Sequence, residues 1–265
     1  MAETEVERPS PAPGRHAPPP SPDELVAGYV ARPAGTGARG TVVLPGGPRL
    51  YMLVDGATEA RLTIRRRTSA PLPRIGFIGP TTSVAQLDHG GAMLLGLRLR
   101  ATAWPTLSDR DLSRFTDRVV PLTTIDPGAA PDERAPDAAA AFAPWLAAQR
   151  TAGRARDGVA QQIVALIDAS PRASVAELCA ALGITPRHLS AICLRTFGLP
   201  PKRVLVLRRF LRVLRRLLPD TRGAGRVLWE AGYVDHSHFA KDCRRFLDSS
   251  LHALRQHLGD GGDPL

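Results

Sequence analysis

The chain contains two near-copies of one short segment, and this internal repeat constrains the fold more than any other feature. The sequence AICLRTF at residues 191–197 returns as AKDCRRF at residues 240–246. Aligning Cys193 with Cys243 also pairs Leu189 with Phe239. A repeat of this kind indicates that one structural unit occurs twice.

The first copy has the sequence signals of two short helices joined by a tight turn. Ser174 and Glu177 form a capping-box pattern at the start of a helix, and Gly183 stands where a left-handed cap would end it. Thr185 is placed to cap a second helix that begins at Pro186. The outer face of that second helix is polar and basic. These features predict a helix-turn-helix, whose second helix fits the major groove of DNA.

The second copy repeats this design, with Gly232 at the turn, Tyr233 in the corner and Asp235 as N-cap. The two second helices are expected to bury Leu189, Ile192 and Cys193 in the first copy and Phe239, Cys243 and Phe246 in the second. Residues 201–218, closed by Pro219, predict a helix about 25 Å long between the copies. Such a rod is compatible with recognition helices in successive major grooves, about 34 Å apart.

The excess of positive charge lies in the repeated region. Residues 172–258 contain 16 basic and 6 acidic side chains, a net charge of +10, which equals the charge of the whole chain. The rest of the sequence is therefore neutral overall. This distribution predicts that the C-terminal part contacts a polyanion, with nucleic acid favoured over an anionic membrane surface.

Short apolar runs separated by Gly and Pro fill residues 41–103, among them TVVLP, RLYMLVDG, ARLTIRR, RIGFIGP and AMLLGLRLRA. They predict a small antiparallel sandwich or barrel. A helix capped by Ser108 is expected next, followed by a loop and an alanine-rich helix that begin the connection between domains. The fold class is thus α+β, with a β-rich N-terminal domain and an all-α C-terminal domain holding two helix-turn-helix units joined by a long helix.

Composition and hydrophobic pattern divide the chain into five parts. A Pro-rich segment at residues 1–21 and the end at residues 259–265 are expected to be disordered. The β-rich domain covers residues 22–125 and a linker with its helix covers residues 126–156. The DNA-binding domain, of about seven helices, covers residues 157–258.

The C-terminal part resembles the AraC/XylS family of transcriptional regulators. The resemblance is carried by ITPRHLSAICLRTFG, by LPP leading into a long helix with Arg209, and by AGYVDHSHFAKDCRRF. It covers residues 174–255. The segments VVLPGG, FIGPTT and LLGLRLRATAW are similar to the cupin-like sensor domains that precede this module. The chain departs from the family pattern at Cys193, Cys243, Val204 and Leu228 and in the segment LDSSL.

The resemblance implies which residues contact DNA. Base edges are assigned to Arg187, Ser190 and Ala191 in the first recognition helix and to His236, Ser237 and Lys241 in the second. Arg195 and Arg245 are assigned to phosphates. Ala191 has no hydrogen-bonding side chain and could contact only a thymine methyl group.

The resemblance also implies partners and location. These are double-stranded DNA, a small-molecule effector at unknown residues of the N-terminal domain, a homodimer, and RNA polymerase if the protein is an activator. No membrane partner and no cofactor are expected. The absence of a secretory signal and of a long apolar run predicts an intracellular protein. The resemblance implies a cytoplasmic, nucleoid-associated location in a bacterium.

Other functions are weighed against this one. The alternative is a cupin-type metal-dependent enzyme, or a small-molecule binding protein, with a nonspecific basic tail. The β-rich region contains one histidine, His89, and His236 and His238 lie on different helix faces, so neither a metal site nor catalytic residues are predicted. The three cysteines, Cys179, Cys193 and Cys243, are expected to be buried free thiols rather than redox sensors.

Overall fold

The computed structural model describes residues 25–32, 41–54, 59–151 and 158–259. The segments predicted to be disordered, residues 1–21 and 259–265, lie outside these ranges except for residue 259, which ends the last helix. Within the described ranges no helix is both long and apolar enough to cross a membrane.

The N-terminal half contains two antiparallel sheets, which confirms the β-rich domain. The five-stranded sheet has the strand order β1-β8-β3-β6-β9 and the four-stranded sheet the order β2-β7-β4-β5. The strands are β1 (Val26–Arg32), β2 (Thr41–Val43), β3 (Arg49–Val54), β4 (Arg61–Ile64), β5 (Arg67–Ser69), β6 (Ile75–Ile78), β7 (Ala85–Asp88), β8 (Met93–Leu99) and β9 (Val119–Pro121). The five predicted apolar runs contain β2, β3, β4, β6 and β8, whereas β1, β5, β7 and β9 were not predicted.

Strand β3 explains why an apolar run without alternation can form a strand here. All six of its residues are buried. Leu50 and Met52 lie in the core between the five-stranded sheet and the helices that cover it. Tyr51 and Leu53 lie in the core between the two sheets. Since successive side chains of a strand point to opposite faces, a strand covered on both sides is apolar throughout.

The helix predicted to start at Ser108 is wrong. The chain instead forms a short helix α1 (Trp104–Leu107) that ends at Ser108, and then a 3-10 helix at Leu112–Phe115. The Ser108 hydroxyl accepts a hydrogen bond from the Arg110 amide at 3.3 Å, which stabilises a turn rather than a helix start. Leu112 and Phe115 are both buried. Their three-residue spacing comes from a single 3-10 turn packed against the sheet.

The alanine-rich helix forms as α2 (Ala138–Thr151), but it is part of the N-terminal core. Phe142, Trp145 and Leu146 are buried in the same cluster as strands β3 and β8. The Trp145 indole and the Gln149 amide both donate hydrogen bonds to Asp126, at 2.9 and 2.7 Å. The segment predicted as a linker therefore covers one face of the sheet.

Seven helices follow in the described residues, as predicted. They are α3 (Gly158–Ala169), α4 (Val175–Leu182), α5 (Pro186–Phe197), α6 (Pro201–Leu217), α7 (Ala224–Glu230), α8 (His236–Leu247) and α9 (Leu251–Gly259). Helix α6 is the predicted rod. Its Phe210 ring packs against the rings of Phe239 and Phe246 of α8, with centroid distances of 5.8 and 4.9 Å, so the rod and the second unit share one core.

Candidate nucleic-acid interface

The first helix-turn-helix consists of α4 and α5 and has the predicted caps. The Ser174 hydroxyl accepts a hydrogen bond from the Glu177 amide at 3.2 Å, and the Glu177 carboxylate accepts one from the Ser174 amide at 2.6 Å. Hydrogen bonds to the Glu177 carboxylate from the backbone and side chain of Ser174 lower the pKa of Glu177. Gly183 ends α4 with a φ of 63°, and the Thr185 hydroxyl caps α5 by accepting from the His188 amide at 3.2 Å.

The buried and exposed faces of helix α5 are those predicted from the sequence. Leu189, Ile192 and Cys193 are buried in the helical core. Three of the four candidate DNA-contacting residues, Arg187, Ala191 and Arg195, are exposed, and Ser190 is partly exposed. Ser190, Ala191 and Arg195 follow Arg187 by three, four and eight residues, so all four lie on one side of the helix.

The second unit, α7 and α8, is built on the same plan. Gly232 has a φ of 85°, Tyr233 is buried in the corner, and the Asp235 carboxylate caps α8 by accepting from the His238 amide at 2.7 Å. Helix α8 buries Phe239, Cys243 and Phe246, as predicted. All four of its candidate DNA-contacting residues are exposed, namely His236, Ser237, Lys241 and Arg245.

A buried polar network inside the second unit was not predicted. Asp242 is on the buried face of α8 and is 6% exposed. Its carboxylate accepts a hydrogen bond from the Tyr233 hydroxyl at 2.8 Å and forms an ion pair with Arg209 of α6 at 3.5 Å. The Arg209 guanidinium also lies over the Tyr233 ring, 4.6 Å from its centroid. The only sequence signal was an acidic residue between Phe239 and Phe246 on an apolar face.

Three further arginines of α6 form ion pairs with neighbouring helices. Arg208 and Arg212 both pair with Asp168 of α3, at 2.8 and 3.3 Å, and Arg216 pairs with Glu230 of α7 at 3.1 Å. The basic face of the rod thus holds the module together through contacts within the protein.

The β domain contacts the C-terminal ends of both recognition helices. The Thr116 hydroxyl donates a hydrogen bond to the carbonyl of Gly198, the C-cap of α5, at 2.7 Å. The Val84 amide donates to the carbonyl of Phe246 in α8 at 2.6 Å. Val42 lies in the same hydrophobic cluster as the helical core. The two helix-turn-helix units are therefore connected by α6 and also by the β domain.

The three cysteines are free and buried, as predicted. Burial raises the pKa of Cys193 to about 12, with a smaller contribution from the Cys179 thiol. Burial raises the pKa of Cys243 to about 11. A raised thiol pKa favours the neutral form, which is unreactive.

We therefore expect Cys193 and Cys243 to resist iodoacetamide in the folded protein at about pH 8, and to react fully after unfolding in guanidinium chloride. Mass spectrometry of the two residues, with and without denaturant, makes the comparison. Equal labelling rates in the two conditions would show that these thiols are accessible and would contradict their assignment as packing residues.

The histidine of the β domain has a structural role. His89 is buried, and its Nδ1 atom makes a hydrogen bond with the carbonyl of Ala92 at 2.5 Å, across a turn. In the second unit, His236 is exposed, whereas the His238 ring packs against Tyr233. Among the residues the structure describes, no group of three His, Cys, Asp or Glu side chains could hold a metal ion.

Comparison with known proteins places these units in a family. The sequence profile of a helix-turn-helix domain of the AraC type matches residues 178–257. No curated protein sequence shows significant similarity to the chain.

Three solved structures of ToxT from Vibrio cholerae, an AraC-family regulator, share the fold, each with a TM-score of 0.50. The apo form of a point variant is 11% identical and the match covers 87% of this chain and 97% of that one. A second ToxT structure is 7% identical, with coverages of 86% and 98%. Wild-type ToxT with a bound unsaturated fatty acid is 10% identical, with coverages of 90% and 99%. Residues 178–257 therefore belong to the AraC-type helix-turn-helix family, and the chain as a whole shares the fold of the ToxT structures.

Proposed function

We propose that this protein is a sequence-specific DNA-binding transcription regulator that reads two successive major grooves with α5 and α8. One observation carries the proposal: two helix-turn-helix units of the same construction pack against α6, and each exposes the outer face of its second helix. The net charge of +10 on residues 172–258 supports a polyanionic partner.

The exposed faces suggest a division of roles. Arg187, Ser190 and Ala191 of α5 would contact base edges, as would His236, Ser237 and Lys241 of α8. Arg195 and Arg245, nearer the C-terminal ends, would contact phosphates. Contacts to phosphate supply affinity that falls with salt, whereas contacts to base edges supply sequence preference.

The remaining features of the proposal concern control and assembly. The β-rich domain at residues 22–125 would be regulatory and the helical domain at residues 157–258 would bind DNA. One ToxT structure contains an unsaturated fatty acid, which supports a small-molecule effector for this chain. A homodimer, contact with RNA polymerase in an activator, and a cytoplasmic, nucleoid-associated location complete the proposal, with no catalytic role.

Replacing Arg187 by alanine tests the base contacts. If Arg187 binds a guanine through two hydrogen bonds, the variant loses about 1–3 kcal/mol of discrimination at one base pair of the operator. Binding is measured by fluorescence anisotropy on the selected operator and on its single-base variants. The control is Arg222→Ala, which removes one exposed arginine of the helical domain outside α5 and α8.

Two results are informative. Loss of preference at one base pair, with Arg222→Ala keeping the original preference, supports a base contact by Arg187. Equal weakening on every sequence would instead place Arg187 against a phosphate and would contradict its assignment to a base.

A further inference from the structure

An open cleft of about 450 Å³ lies at one edge of the β domain. One wall is the turn between β4 and β5, with Arg65, Arg66 and Arg67, and the other is the turn before β9, with Thr116, Asp117 and Arg118. We call this the arginine cleft. Strands β5 and β9 are the edge strands of the two sheets, so the cleft lies where both sheets end. Its volume falls within the range of small-ligand sites.

Within the described residues, no carboxylate forms an ion pair with the arginines of the cleft. Arg65, Arg66, Arg67 and Arg118 are all exposed. The one acidic residue of the cleft, Asp117, already accepts hydrogen bonds from the amide and hydroxyl of Thr82, at 2.7 and 2.6 Å. Four guanidinium groups on one concave surface favour an anion with more than one negative charge.

The backbone of the cleft adopts the left-handed conformation at two positions. Arg65 and Asp117 have φ values of 54° and 55°, in the left-handed region that residues other than glycine rarely adopt. Among the described residues only one other non-glycine residue, Asp248, has a positive φ. Arg65 is the first residue of the two-residue hairpin turn between Ile64 and Arg67, where a positive φ is usual. The turns on the two walls thus fix the backbone that carries the arginines.

The cleft residues also hold the recognition helices. Thr116 donates the hydrogen bond to Gly198 at the end of α5, and the Arg65 guanidinium is 3.5 Å from the carbonyl of Arg245 in α8. An anion that bridges the two walls would therefore act on both helix ends.

The cleft lies away from the residues proposed to read bases. Recognition helices read bases mainly with their N-terminal residues. The cleft adjoins the C-terminal ends of α5 and α8, and each helix has 12 residues, or about 18 Å. Because Arg245 beside the cleft is proposed to contact a phosphate, the DNA backbone is the competing ligand, and the salt dependence of the cleft variant separates it from a small anion.

We propose that the arginine cleft binds a small, multiply charged anion of the phosphate-ester or polycarboxylate class, and that this ligand changes the affinity for DNA. The binding step stands on the cleft itself, and the effect on DNA rests on the proposed function. By linkage, DNA must change the affinity for the anion by the same factor that the anion changes the affinity for DNA.

The test uses the full chain with inorganic pyrophosphate and citrate as probes, at constant ionic strength. Isothermal titration calorimetry measures binding of each probe, and anisotropy measures operator affinity with and without it. The cleft variant is Arg66→Gln with Arg67→Gln, whose side chains make no hydrogen bond or ion pair in the described part of the chain. The matched control is Arg114→Gln with Arg134→Gln, which removes two exposed arginines of the N-terminal half outside the cleft.

We expect saturable binding of at least one probe, and a change in operator affinity of at least about fivefold. The cleft variant should lose both effects while it binds the operator normally without the probe, and the control should keep both. Pyrophosphate binding alone would indicate a phosphate ligand and citrate alone a polycarboxylate.

Three results would overturn the inference. These are no saturable binding, equal loss in the control, or a cleft variant that binds all DNA more weakly with a reduced salt dependence, since the arginines would then contact DNA phosphates. If the wild-type protein binds no DNA, the proposed function fails, but calorimetry still decides whether the cleft holds an anion.

Discussion

Replacing Asp242 by alanine is expected to lower the free energy of unfolding by about 3 kcal/mol, because the change leaves a partly buried arginine without its charge partner. The Arg209 side chain is 20% exposed and its ion pair with Asp242 would be lost. The Tyr233 hydroxyl, which now donates to Asp242 at 2.8 Å, would also lose its acceptor. Arg209 is in α6 and Tyr233 is in the turn of the second unit. The substitution should therefore weaken the packing of the second unit against α6.

Asp168 provides the matched control. Its carboxylate also pairs with two arginines of α6, Arg208 and Arg212, but its side chain is 52% exposed. Exposed ion pairs contribute about 1 kcal/mol or less, so Asp168→Ala should have a small effect. Unfolding in urea, followed by circular dichroism, compares the two variants. Equal losses would mean that burial does not set the strength of the Asp242 network.

The variant Asp242→Asn refines this result. Asparagine keeps an acceptor for the Tyr233 hydroxyl but removes the charge that faces Arg209. We expect a loss of stability between those of the wild type and Asp242→Ala. Operator binding by Asp242→Ala should weaken mainly at the half of the site that α8 reads, because the network joins α6 to the second helix-turn-helix unit.

Replacing Gly198 by alanine is expected to lower the free energy of unfolding by about 2–4 kcal/mol, from backbone strain and from overpacking. Gly198 ends α5 with a φ of 72°. A Cβ atom there would lie 2.9 Å from Pro80 and from the Thr116 hydroxyl, and 3.3 Å from the carbonyl of Leu112. Those contacts are with the β domain, so the change should push the two domains apart.

Gly183 separates the backbone effect from the packing effect. It ends α4 in nearly the same conformation, with a φ of 63°, but a Cβ atom would have no neighbour within 4 Å. Gly183→Ala should therefore cost only the strain of the left-handed conformation, about 1 kcal/mol. The same urea experiment compares the two glycine variants. An equal loss of unfolding free energy in both variants would show that the contacts between Gly198 and the β domain add nothing to the effect.

The parts of the fold that depend on neighbouring residues could be predicted from the sequence. The cap at Ser174, the turn at Gly183 and the helix start at Pro186 are local features, because each hydrogen bond or backbone conformation is decided within a few residues. The buried face of α5 followed from helical periodicity in the same way.

Features that depend on distant partners could not be predicted. Asp242 is buried because Arg209 and Tyr233 approach it from other elements, and nothing near it in sequence indicates this. Ser108 has the chemistry of a helix cap, but packing of the segment against the sheet gives a turn there. The arginines of the cleft were missed because they were counted together with the whole chain outside residues 172–258, whose charges sum to zero, and such a sum hides a local cluster.

The proposal that two helices read two grooves is tested most directly by selecting binding sites from random duplex DNA with the full chain, and repeating the binding across a salt series. We predict an enriched motif with two short blocks about one helical turn, or 10 base pairs, apart, and affinity that falls steeply with salt. Affinity that falls with salt while no motif is enriched would contradict sequence-specific reading and leave a nonspecific binder of polyanions.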